Sequence, residues 1–192
     1  MKKSILLAAL LSISTSVFAE GNFAHIQYTF RDTVASNSED PNRQGANFTF
    51  GTTVYPGIVL DVNNQFRTER LNTDNGSSSN RLEVGVTKVF DLTNDVAVYG
   101  RGAIGQKFAT SEDHTYYSVE GGVRTQLTST LNVRAGYRFR DAYSESYFDK
   151  TNTIRLGAEY ALNKTSALTL GIDRAYGDSE FIGYNLGYVV KF

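Results

Sequence analysis

The last nine residues constrain the fold more than any other stretch of the chain. In Tyr184-Asn185-Leu186-Gly187-Tyr188-Val189-Val190-Lys191-Phe192, every second residue back from the end is large and apolar: Phe192, Val190, Tyr188, Leu186 and Tyr184. Lys191, Gly187 and Asn185 stand between them. A period of two marks a β-strand with one oily face. Such a strand at the open edge of a soluble sheet invites aggregation, because both its apolar face and its backbone groups stay available for pairing. The oily face must therefore meet something other than water.

The other end of the chain points to export. Lys2 and Lys3 precede an apolar run from Ile5 to Ile13, and Val17-Phe18-Ala19 places a small residue before a cleavage point. The run is too short to cross a bilayer as a helix. The pattern is that of a secretory signal peptide over 1–19, leaving residues 20–192 as one folded domain. The chain is nearly neutral, with 19 basic and 20 acidic residues, which gives no reason to expect a nucleic-acid partner. It has no cysteine, so disulfides are excluded as a source of stability. No later segment is apolar for long enough to form a spanning helix. If the domain enters a membrane, it must do so as a closed barrel, the other form that satisfies every backbone group in lipid.

Segments of about ten alternating residues fill the chain beyond residue 20, separated by polar turns. They predict ten strands, at 23–32, 44–55, 58–70, 80–91, 96–109, 116–127, 131–140, 152–162, 167–176 and 181–192. Pro56-Gly57, Thr93-Asn94-Asp95, Thr128-Ser129-Thr130 and Asn163-Lys164-Thr165 are tight connections. Those around 33–43, 71–79, 110–115 and 141–151 are mostly longer and more polar. That asymmetry is expected of a bacterial outer-membrane barrel. A weak hairpin-length repeat runs through the later strands. One hairpin is too short for a propeller blade, so the repeat fits a barrel better.

Strand 131–140 shows the two faces most clearly. Leu131, Val133, Ala135, Tyr137 and Phe139 share one face, and Asn132, Arg134, Gly136, Arg138 and Arg140 the other. A soluble barrel would bury the apolar face. Here nearly every polar face carries charge, and aromatic residues (Phe90, Tyr137, Phe139, Tyr160, Tyr184 and Phe192) stand near strand ends on the apolar face, as membrane girdles do. The expected fold is all-β: a transmembrane, antiparallel, up-and-down barrel of ten strands, with eight or twelve as alternatives.

On these features the chain resembles the small Gram-negative outer-membrane β-barrel proteins, in pattern over all of 20–192 and locally in strand 184–192. The resemblance implies that Tyr184, Leu186, Tyr188, Val190 and Phe192 form the segment read by the barrel-assembly machinery. It also implies residence in the outer membrane, among lipid and lipopolysaccharide.

Alternation places Arg31, Arg67, Arg81, Arg101, Lys107, Arg124, Arg134, Arg138, Arg140 and Arg155 in the lumen, with Glu83, Glu120 and Glu159 among the opposing acids. Arginine keeps its charge and presents a fork of donors suited to carboxylates and phosphates. The expectation is a narrow porin-like channel with a positive wall, passing small anionic solutes. In this it is similar to the oligogalacturonate-specific porins, whose twelve strands exceed the ten read here. The alternative is a non-conducting barrel, plugged by paired Arg and Glu, that acts through its loops in adhesion, lipopolysaccharide or phage contact, or envelope integrity. Inward glycines (Gly51, Gly85, Gly105, Gly122, Gly136, Gly157, Gly171 and Gly187) are expected to leave room for a pore. Loop acids such as Glu39, Asp40, Asp74, Glu112, Asp113, Glu145 and Asp149 read as a solvated surface without calcium-site spacing, so no metal site is expected. Tyr143, Tyr147 and Phe148 read as an extension of the girdle.

Two features suggest chemistry without supporting it. Gly100-Arg101-Gly102-Ala103-Ile104-Gly105 matches the dinucleotide-binding glycine pattern, but that motif must open a helix, and here a strand continues. The two histidines, His25 in the first strand and His114 in a short loop beside Asp113, lack an identifiable catalytic partner. Neither an enzyme nor a cofactor is expected.

Overall fold

The computed structural model describes residues 21–33, 43–69, 78–109, 113–144, 149–178 and 180–192. The expected signal peptide, and the loop residues Glu39, Asp40, Asp74, Glu112, Glu145, Tyr147 and Phe148, lie outside these ranges.

Ten strands form: β1 (Asn22–Thr33), β2 (Arg43–Tyr55), β3 (Ile58–Glu69), β4 (Ser78–Asp91), β5 (Val96–Ala109), β6 (His114–Gln126), β7 (Leu131–Ala142), β8 (Thr151–Ala161), β9 (Ser166–Gly177) and β10 (Phe181–Lys191). Each pairs antiparallel with its chain neighbours, and β1 pairs with β10, so the sheet closes on itself. The seam runs from Phe23↔Lys191 to Thr33↔Phe181. It is extended by Asn22 N–H donating to the Phe192 carbonyl at 3.1 Å and Phe192 N–H donating to the Asn22 carbonyl at 2.9 Å. Closure removes the edge that the oily terminal strand would otherwise expose.

The tight turns share a sequence device. Thr93 Oγ1 accepts from the amides of Asp95 (3.3 Å) and Val96 (3.1 Å). Thr128 Oγ1 accepts from Thr130 (3.3 Å) and Leu131 (3.0 Å). Asn163 Oδ1 accepts from Thr165 at 2.8 Å. Thr93, Thr128 and Asn163 recur at equal intervals along the chain, each after an exposed leucine (Leu92, Leu127 and Leu162). The hairpin repeat is thus a repeated side-chain turn of the Asx and Ser/Thr kind. The Pro56-Gly57 turn differs: Gly57 sits at φ +71°, where side chains are strained, and a Cβ there would lie 2.8 Å from the Val89 carbonyl oxygen.

The burial pattern is inverted relative to a soluble protein. Along β1, His25, Gln27, Thr29 and Arg31 are buried, while Ile26 and Tyr28 are 56% and 50% exposed. Leu82, Val84 and Val86 on β4, Leu156 on β8, Leu168, Leu170 and Ile172 on β9, and Tyr184, Leu186, Tyr188, Val190 and Phe192 on β10 are likewise exposed. Removing one such side chain from water is worth about 1.5–3 kcal/mol. A wall of them far exceeds the apolar patches soluble monomers expose. Hydrocarbon is the solvent this wall fits. On the loop side the Tyr117 ring lies against Phe139 and Tyr143, with centroids 6.0 and 5.4 Å away, and Phe90, Tyr160 and Phe192 stand near the turn side.

The lumen as candidate functional site

Antiparallel partners point the same way, so register alone defines the inner face. It carries three layers. Nearest the tight turns, Phe23, Val59 and Val189 pack together, as do Val89, Ala97 and Tyr99. This end of the lumen is narrowed by apolar side chains.

The middle layer is an ion-pair network. Arg101 on β5 bonds Asp61 through Nε at 3.0 Å and Glu83 through Nη1 at 2.7 Å. Arg138, on β7, also donates to Glu83 on β4 and to Ser118 Oγ at 3.2 Å. Arg155 on β8 reaches Glu120 on β6 at 2.7 Å and Asp173 on β9 at 3.4 Å. Tyr99 donates to Glu120 at 3.0 Å. Buried charges persist only when they are paired and hydrogen-bonded, and these side chains meet that condition across strands.

The loop-side layer is richer in arginine. Arg31 on β1 and Arg43 on β2 are direct register partners, and Arg67, Arg81 and Arg140 lie at similar height on β3, β4 and β7. Arg31 stacks on Phe181, 3.8 Å from the ring centroid. Arg67 donates to Gln65. Asp149 enters from the segment before β8 and is 2% exposed. Its Oδ1 accepts from Arg81 at 3.0 Å and Arg140 at 2.7 Å, and its Oδ2 lies 3.3 Å from His114 Nε2. Burial alone would raise the Asp149 pKa. The guanidinium groups of Arg140 and Arg81, together with the His114 hydrogen bond, outweigh it and hold the carboxyl down at about 2.

One polar cavity of about 130 Å³ threads these layers, touching Phe23 and His25 toward the turns and Arg31, Arg67 and Arg140 toward the loops. It is room for several waters or one small solute rather than a wide bore.

No protein-family model matches the chain, and no curated protein matches it in sequence. Solved structures do match in shape. The NanC porin superposes with a TM-score of 0.59 at 9% identity, over 88% of this chain and 100% of that one. An outer-membrane channel from Pseudomonas putida gives 0.56 at 13% identity, over 92% and 98%. The KdgM porin gives 0.50 at 13% identity, over 88% and 99%. The chain has the fold of a small outer-membrane β-barrel. At these identities the likeness concerns architecture alone.

Within that outer-membrane barrel, Arg31, Arg67, Arg81, Arg101, Lys107, Arg124, Arg134, Arg138, Arg140, Arg155, Glu83, Glu120 and Glu159 all occupy inward register positions. Glu159 binds Lys191 at 3.2 Å and Arg124 lies 3.6 Å from Asp91. The Gly100–Gly105 pattern lies within strand β5, and no helix follows it among the described residues.

Three expectations need correction. His114 is not in a loop: it begins β6, faces inward and is buried. Asp149 is not on a solvated surface, because the arginine surplus above β4 and β7 draws its carboxylate inside. The inward glycines do not widen a pore, because neighbouring side chains fill the space they leave. Phe23 lies over Gly51, Arg101 over Gly85, Tyr116 over Gly105 and Tyr99 over Gly122. A Cβ on Gly85 would meet the Arg101 guanidinium at 2.3 Å, so this glycine seats the arginine that bridges Asp61 and Glu83. The inward apolar residues Phe23, Val59, Val89 and Val189 were missed by sequence reasoning. Strict alternation from the neighbouring charged positions would have found them.

Proposed function

We propose that the chain is a narrow, porin-like outer-membrane channel that passes small anions along an arginine-biased lumen. One observation carries this reading. Among the described inward side chains, the twelve cations Arg31, Arg43, Arg67, Arg81, Arg101, Lys107, Arg124, Arg134, Arg138, Arg140, Arg155 and Lys191 outnumber the seven acids Asp61, Glu83, Asp91, Glu120, Asp149, Glu159 and Asp173. A plug built for stability alone would balance its charges, since uncompensated buried charge costs several kcal/mol. A surplus of fixed cations in a low-dielectric tube draws in mobile anions. The small cavity restricts passage to ion-sized solutes unless the Arg101 and Arg138 bridges rearrange. The porin architecture of NanC and KdgM supports a conducting reading, and the reading requires no catalysis. Its partners are outer-membrane lipid and lipopolysaccharide around the wall, the assembly machinery at Tyr184–Phe192 and small anions within.

A second reading is a closed barrel that acts through its loops. The Asp61–Arg101–Glu83–Arg138 chain across the lumen and the filled glycine notches favour it. Planar-bilayer recordings of purified protein separate the two. Conductance that falls in anion preference on Arg134→Ala and Arg138→Ala substitution supports the channel. Well-folded protein without conductance supports the closed barrel.

A further inference from the structure

The loop-side layer holds a built carboxylate site whose occupant belongs to the chain itself. Arg81 and Arg140 both point a guanidinium at Asp149 Oδ1, at 3.0 and 2.7 Å. Their position does not depend on Asp149 alone. The Tyr116 ring, itself 2% exposed, lies under both groups, with centroid distances of 5.9 Å to Arg81 and 5.7 Å to Arg140. Such cation–π contacts fix a guanidinium without neutralising it. Arg140 also donates to Thr151 Oγ1 at 3.3 Å. Arg81 is 5% exposed, yet its Nε and Nη1 have no hydrogen-bond partner, and neither does Nε of Arg140, which is 8% exposed. The fork therefore has donors to spare after Asp149 is bound.

Asp149 is held from outside the wall. It lies in the segment before β8, two residues ahead of Thr151, whose hydroxyl donates to the Asp149 carbonyl at 3.3 Å. The carboxylate can leave without breaking a strand pair. The cavity touches Arg140 and Thr151 beside Asp149, and also Arg31 and Arg67, so an anion in it lies among further guanidinium groups next to the site.

We propose that Arg81, Arg140 and His114 form an exchangeable carboxylate-binding site at the loop-side mouth, in which Asp149 is the resident ligand and a carboxylate-bearing solute the competing one. The proposal deepens the anion-channel reading and rests on it for the solute's route. Binding itself is measurable without conduction.

The test is titration calorimetry of the purified chain in detergent micelles, with citrate as probe and glycerol as the uncharged control. Asp149→Asn removes the resident charge and is expected to tighten citrate binding at least tenfold. Adding Arg140→Gln to Asp149→Asn is expected to abolish that gain. Heat-modifiable gel migration checks that each variant is folded. An Asp149→Asn protein that binds citrate no tighter, or a double variant that keeps the gain, overturns the proposal. Should Asp149→Asn fail to fold, wild-type protein supplies the reading through NMR of its histidine rings, with His114 assigned by His114→Asn. Citrate is expected to move the His114 signals as Asp149 leaves, and unmoved signals at saturating citrate overturn the site. Citrate binding that tightens as expected in a barrel without conductance upholds the site while removing the channel reading.

Discussion

Arg138 on β7 donates a hydrogen bond to Glu83 on β4, so a guanidinium crosses the lumen between strands that are not neighbours in the wall. Glu83 also accepts from Arg101, which makes one buried carboxylate the counter-charge of two arginines. Glu83→Gln leaves Arg138 without its counter-charge and Arg101 with Asp61 alone. The expected loss is on the order of 3–5 kcal/mol, as for other buried pairs broken on one side. Urea unfolding of protein reconstituted in vesicles measures it. Removing Arg138 as well is expected to recover part of the loss.

The outward wall makes an independent prediction. Leu170 is 60% exposed near the middle of β9. Leu170→Arg is expected to cost about 2–4 kcal/mol in a bilayer, because the charge enters hydrocarbon. The readout is the folding free energy into vesicles. An indifferent result would mean that this face meets water.

Asp149 links stability to pH. Its pKa is held at about 2, below the ordinary 3.8, so the ionised form is favoured by the fold. The resulting stabilisation is fully present above about pH 4 and is lost as pH falls toward 2. Its size is on the order of 2 kcal/mol. Asp149→Asn is expected to flatten that limb of the stability–pH curve between about pH 4 and pH 2.

Phe192 offers a test of the proposed assembly signal that is separate from stability. Its side chain is 71% exposed, while its backbone closes the seam with Asn22. Phe192→Ala keeps both backbone bonds, so refolding in detergent is expected to be nearly unchanged. The amount reaching the outer membrane in cells is expected to fall several-fold, as read by quantitative blotting of membrane fractions. Equal amounts would remove the terminal strand as an assembly signal.

Most of the wall was legible in the sequence, because a barrel in lipid imposes period two on every strand and the oily face cannot drift. All ten strands fall within a few residues of the alternation-based boundaries. What eluded sequence reasoning depends on contacts across the lumen. Asp149 read as a solvated acid and His114 as a loop residue because their partners are distant in sequence: Asp149 meets Arg81 and Arg140 on β4 and β7, and His114 meets Asp149. The glycines read as space because nothing in a single strand reveals that Arg101 will lie over Gly85 or Tyr99 over Gly122. Periodicity reports which way a side chain points, and the lumen's chemistry is decided by what it meets there.

The most direct test of the arginine-biased lumen is the zero-current potential of wild-type protein in a planar bilayer under a potassium chloride gradient. The account predicts a small conductance whose reversal potential has the sign of chloride selectivity, with the bias weakening in Arg134→Ala. A reversal potential of the potassium-selective sign, or no current from folded protein, would contradict it.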